Sequence, residues 1–139
     1  MKPLLGRSGV ILIGLVILSY AEAWGADWRL YTFNDLVANY YDADSIILPF
    51  KDIVRVLEKT TYTDKAVIDC VRKFGTKYAN LSYSTTLEEI NCVEKTRHLL
   101  TGNYYDKNGK LIASDSSPTE WLSIIPESTD NALYKAICK

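Results

Sequence analysis

His98 is the only histidine in the chain, so any Ser-His-acid nucleophilic device would have to use it. It sits beside Leu99 and Leu100 with no acid or nucleophile at a matching spacing, which reads as a structural or surface histidine. Metal chemistry lacks its ligands too: one histidine and three scattered cysteines form no Cys-x-x-Cys or His-x-x-x-His pair. Asp42-Ala43-Asp44-Ser45 offers oxygen atoms but none of the remaining ligand series of a calcium loop, so it reads as turn-forming Asp at a strand end. Glu88 and Glu89 are the carboxylate pair a glycosidase would need, yet neighbours on a strand point to opposite faces and cannot flank one bond. Gly102 and Gly109 are isolated, so no phosphate loop is present. The expectation is a protein that is not an enzyme, with no catalytic residues, no cofactor and no metal site.

The elements that carry these residues can be placed from pattern. Trp28 to Phe33, a run from Tyr40-Tyr41 to near Ile47, and Ile53 to Thr63 are aromatic and β-branched, and predict strands. Asp64 can cap a helix in which Val67, Cys70, Val71 and Phe74 fall on one stripe, Arg72 and Lys73 occupy the last turn, and Gly75 follows. Leu81 to Cys92 and Thr96 to Tyr105 predict two more strands, and Asn108-Gly109 predicts a type I′ hairpin turn leading into Leu111-Ile112. After the polar loop Ser114 to Pro118 comes a short extended piece, Trp121 to Ile125. Ser128 or Thr129 then caps a last helix whose Leu133, Ala136 and Ile137 share a face. The sum is an α+β domain: an antiparallel β-sheet of about six strands with one inserted helix and a C-terminal helix packed on the sheet.

Alternation sharpens two expectations. Glu89 lies opposite Ile90 and Cys92 in facing, where Arg55 or Arg97 can meet it, leaving one of the two glutamates solvated and one paired. Glu58 falls on the apolar face of Val54 and Val56, a breach of pattern that a bulge or strand end would explain.

The first 23 residues read as an export signal: Lys2 and Arg7, the apolar run Gly9 to Leu18, and Ala21-Glu22-Ala23 as a small-x-small cleavage site. The apolar run is too short to span roughly 30 Å of hydrocarbon comfortably, and no cysteine near the cut could carry a lipid, so no stable membrane anchor is expected. The expected location is the periplasm, cell envelope or exterior. Residues 24–139 then form a single domain. The full chain has 16 basic and 17 acidic residues, and loss of the signal shifts the net charge only from -1 to -2. Such a balance gives no long-range pull toward nucleic acid.

Export makes a disulfide plausible among Cys70, Cys92 and Cys138. Cys70 lies on the apolar stripe of its helix, where a thiol packs as a small hydrophobe, so Cys92 with Cys138 is favoured. Pairs using Cys70, and three reduced thiols, stay open as alternatives. For protein contact, Tyr40, Tyr41, Tyr104 and Tyr105 stand out, because each tyrosine pair sends one ring to each face of a sheet. Arg72, Lys73 and Lys77 are a basic cluster at the end of the first helix, although basic residues there also complement the helix dipole.

Several segments together resemble the surface-adhesin protein E-like domain family of bacterial exported proteins. They are Trp28-Arg29-Leu30-Tyr31, Tyr40-Tyr41-Asp42, Ile53-Val54-Arg55-Val56, Glu89-Ile90-Asn91-Cys92, Tyr104-Tyr105-Asp106, Pro118 to Trp121 and Ala132 to Cys138. The resemblance implies a C-terminal helix tied to an antiparallel sheet by a disulfide. It also implies an adhesin-like contact module with a protein partner such as vitronectin, laminin or another extracellular-matrix protein, and a homodimer. A structural or stress-related periplasmic role without a host ligand is the alternative.

Overall fold

The computed structural model describes residues 26–139, and the expected export signal lies outside them. Strands β1 (Trp28–Phe33), β2 (Val37–Asp42), β4 (Ile53–Tyr62), β5 (Leu81–Asn91), β6 (Thr96–Asp106) and β7 (Leu111–Asp115) follow one another across an antiparallel sheet. Two short strands complete it: β3 (Ile47–Phe50) pairs with β4, and β8 (Leu122–Ser123) pairs with β6. Helix α1 (Asp64–Phe74) is inserted after β4, and α2 (Thr129–Ile137) closes the chain.

Local chemistry sets the boundaries, sometimes differently from expectation. The run from Tyr40 toward Ile47 is not one strand, because Asp42 ends β2. Its Oδ1 accepts the amides of Asp27 and Asp44, which folds Ala43–Ser45 into a 3-10 turn before β3. Thr63, not Asp64, caps α1: its Oγ1 accepts the Ala66 amide, while Asp64 stands in the first turn. Gly75 ends that helix at φ 106°, a conformation that suits glycine. The Asn108-Gly109 turn is not type I′, since only Gly109 has positive φ, at 79°. Asp106 Oδ1 accepts the amides of Asn108 and Lys110, and the Gly109 amide reaches Asp106 O. The result is a type I turn followed by a left-handed glycine.

The sheet's two faces differ. Along β4 the even residues Val54, Val56 and Glu58 are buried while the odd ones are half-buried. Helix α2 covers the even face: Leu133 packs with Val56, Ile90 and Ile124 in the core, and Tyr31, Tyr41 and Ile46 join from the rim. Helix α1 covers the far end of the same face, where Cys70, Phe74 and Tyr78 meet Tyr104. It packs loosely; none of its residues is buried. Among the described residues the odd face carries no helix. Cys92 and Cys138 are disulfide-bonded, fastening the end of α2 to the end of β5. Tyr134 Oη adds a hydrogen bond to Cys92 O at 3.0 Å, while Cys70 is a free thiol.

Candidate contact surface

On the helix-free face, ladder register assembles an aromatic and cationic strip. Tyr40 stands opposite Lys59, and Tyr83 opposite Tyr105. Lys59 Nζ lies 5.3 Å from the Trp28 ring centre and 5.4 Å from that of Tyr83. Tyr83 and Tyr105 stack at 4.8 Å. The ammonium therefore sits between two ring faces, an arrangement that fixes three large side chains and leaves their outer edges half-exposed.

At the other end of this face Glu89 gathers a polar network. Arg55 Nη2 is 2.8 Å from Glu89 Oε2, and His98 Nε2 is 2.8 Å from Oε1. His98 Nδ1 reaches Thr119 O at 3.2 Å, and its ring stacks on Trp121 at 3.9 Å. Both partners of the imidazole are acceptors, so the two bonds form together only when both ring nitrogens carry hydrogen. Burial pushes the Glu89 carboxyl up, but the hydrogen bonds from His98 and Arg55 and their charges outweigh it and hold the carboxyl below its ordinary value.

The covered face hides a second cluster beneath α2. Tyr31 Oη donates to Glu58 Oε1 at 2.6 Å, Arg97 Nη2 pairs with Asp130 at 2.9 Å, and Arg97 Nη1 stands 3.8 Å from Glu88 Oε1. Glu58 is therefore neither at a bulge nor at a strand end; it is a buried carboxyl served by a tyrosine hydroxyl. Glu88, 1% exposed, is buried as deeply as an apolar core residue, so the expected solvated glutamate does not exist. Burial and the neighbouring charges of Glu58 and Asp130 push the Glu88 carboxyl up to about 9. Burial also raises Glu58, against the pull of the Tyr31 hydrogen bond.

A β-bulge decides which basic side chain meets which acid. Leu87 pairs with Thr101 but Glu88 pairs with Leu99, so Leu100 is an extra residue in β6. That one residue turns His98 to Glu89 and Arg97 to the Glu88 side.

The sequence profile of the family described as Surface-adhesin protein E matches residues 28–139, which spans every strand and both helices. The chain belongs to the surface-adhesin protein E family. Among solved structures it is similar to crystal form II of Haemophilus influenzae protein E, at 17% identity and TM-score 0.55, covering 72% of this chain and 79% of that one. It is also similar to protein E from non-typeable Haemophilus influenzae, at 18% identity and TM-score 0.53, covering 81% of this chain and 78% of that one. At these identities the likeness is one of fold. Among curated proteins no relative matches.

In this surface-adhesin protein E family member, the four tyrosines singled out from sequence divide between the faces. Tyr40 and Tyr105 join the open strip; Tyr41 packs on Tyr31 at 6.2 Å under α2, and Tyr104 meets Tyr78 at 6.0 Å beside α1. A groove of about 180 Å³ on the covered side is lined by Thr86, Leu99, Gly102, Tyr104 and Asp115. Arg72, Lys73 and Lys77 are exposed at the end of α1, away from the open strip. Arg72 pairs with Asp69 at 3.3 Å and Lys77 Nζ lies 5.2 Å from the Tyr78 ring, so two of the three are engaged locally. Trp28, Lys59 and Tyr83 were not singled out from sequence. Their signal was the period-two spacing that puts Lys59 on one face with Ile53 and Leu57, informative only once the pairing of three strands is known.

Proposed function

We propose that this chain is an exported, non-enzymatic contact module that engages an extracellular-matrix-type protein through the helix-free face of its sheet. The single supporting observation is the strip of Trp28, Tyr40, Lys59, Tyr83 and Tyr105 on that face, where rigid rings and one cation are held ready in one plane of contact. Aromatic residues fixed in this way lose little freedom on binding and dominate contact energies. Family membership supports a protein-binding role. In this reading residues 1–23 are an export signal removed outside the cytoplasm, residues 24–139 are one domain, and the Cys92–Cys138 bond forms in an oxidising compartment. A homodimer belongs to the same proposal, with Arg72, Lys73 and Lys77 as a secondary contact.

The test is binding of the purified protein to surfaces coated with individual matrix proteins, with albumin as control. Saturable binding weakened about tenfold or more by Lys59→Ala or Tyr105→Ala, and by less than about threefold by Arg72→Ala, supports the open face as the main contact. Binding lost on Arg72→Ala but not on the sheet variants moves the contact to α1. No saturable binding, together with protection from protease added to intact cells, would favour a structural periplasmic role.

A further inference from the structure

The cluster beneath α2 is built from five groups on five elements: Tyr31 of β1, Glu58 of β4, Glu88 of β5, Arg97 of β6 and Asp130 of α2. Three acids face one guanidinium, and that guanidinium is committed to Asp130 at 2.9 Å, with Glu88 a full 3.8 Å away. Glu88 Oε2 is buried and receives no N–H or O–H from any side chain or backbone group among the described residues. Glu88 lies in the same cluster as Glu58, whose Oε1 is taken by the Tyr31 hydroxyl, and the charges of Glu58 and Asp130 both bear on it. A carboxyl 1% exposed, with one oxygen unpartnered and a guanidinium committed elsewhere 3.8 Å from the other, is held as the neutral acid, because its charged form would lie uncompensated among like charges.

We propose that docking of α2 on the sheet is proton-dependent: when buried Glu88 loses its proton, the N-terminal half of α2 lifts away on a pivot set by the Cys92–Cys138 bridge. Glu58 and Glu88 sit in strands held by ladders on both sides, so they cannot separate. Asp130 can, because it rides on a nine-residue helix. The C-terminal end of that helix is fixed by the disulfide and by Tyr134 Oη on Cys92 O. At its N-terminal end the polar tie to the sheet is the Arg97–Asp130 pair. Ionising Glu88 places a third negative charge in a space with one positive charge and little water, where like charges repel strongly. Lifting Asp130 relieves the repulsion and lets solvent reach Glu88. The motion uncovers Val56, Ile90 and Ile124, an apolar strip that the closed domain hides under Leu133.

Hydrogen exchange of residues 128–137, corrected for intrinsic rates and followed from pH 5 to 9 in the disulfide-bonded protein, reads the opening directly. The opening equilibrium should grow by up to about tenfold per pH unit wherever docked Glu88 holds its proton and released Glu88 does not. Glu88→Gln, which keeps the shape and the hydrogen-bond donor, should flatten that dependence, and exchange of α1 should not follow it. Equal pH dependence in wild type and Glu88→Gln, or none in wild type, overturns the proposal. A carboxyl-carbon titration of wild type gives an answer that needs no variant. An inflection for Glu88 above the ordinary glutamate value of 4.5 supports a protonated Glu88 under α2, and one at that value overturns the proposal.

Discussion

Glu89 and His98 face each other across β5 and β6 at 2.8 Å because β6 carries one extra residue, Leu100, between its two halves. In an unbulged ladder Arg97 would share the Glu89 face and His98 would point toward the core. The bulge exchanges them. Glu89 thereby gains Arg55 and His98 as partners on the open face, while Arg97 enters the acid cluster under α2. Two adjacent glutamates are displaced in opposite directions on the pH scale as a result.

Arg55→Met leaves the Glu89 carboxylate buried with His98 as its remaining partner, and should cost about 1–3 kcal/mol at pH 7. The folded carboxyl lies below its unfolded value of 4.5, so the stabilisation is present above that value and is lost as pH falls through the folded one. Stability of wild type and variant from chemical denaturation should therefore converge as the pH falls below 4.5 and through the lowered folded value. Curves that stay parallel would remove the ion pair as the cause.

Glu88→Gln should have the opposite pH signature. The folded carboxyl is raised from 4.5 to about 9, so between those values the native state binds more protons than the unfolded state, and stability falls as pH rises. The variant should match wild type near pH 5 and exceed it by about 1–3 kcal/mol near pH 8. Thermal melts at the two pH values measure the difference; equal melting temperatures at both would contradict it.

Opening the Cys92–Cys138 bond should destabilise the domain by about 4 kcal/mol, as the loop-entropy model gives for a separation of 46 residues. The paired substitution Cys92→Ser with Cys138→Ser avoids a stray thiol. Helix α2 should lose exchange protection before the sheet does, because its end has lost its covalent hold.

Leu133→Ala should cost about 3 kcal/mol, since Leu133 is 0% exposed among Val56, Ile90 and Ile124 and its loss leaves a cavity. Phe74→Ala on α1, where the ring is 68% exposed, should cost under about 1 kcal/mol. Urea denaturation of the two variants compares them, and a larger loss for Phe74 would mean that α1 packs more tightly than its exposure indicates.

Much of the fold was legible locally. The alternation in Ile53–Tyr62, the apolar stripe of α1 with Gly75 behind it, and Ser128 at the start of α2 each follow from spacing and capping chemistry within a few residues. The hairpin after Asp106 was legible as a hairpin but not as a turn type, because Asn108-Gly109 permits positive φ at both positions and the Asp106 side chain selected another arrangement. The contact strip was legible only in part. Tyr40 and Tyr105 belong to conspicuous pairs, whereas Trp28, Lys59 and Tyr83 become neighbours across strands distant in the chain.

Composition and spacing by themselves determined an α+β domain with an antiparallel sheet, the stop of α1 at Gly75, and the opposite facing of Glu88 and Glu89, because a strand's period of two and a helix's stop signals act over short range. Tertiary structure alone decided that both helices lie on one face, that Glu58 is a buried acid bonded by Tyr31, and that His98 rather than Arg97 meets Glu89. Those outcomes depend on register, and register is a property of two strands together: one extra residue at Leu100 reverses the facing of everything that precedes it in β6, and nothing in the local pattern of β6 announces where that residue will fall.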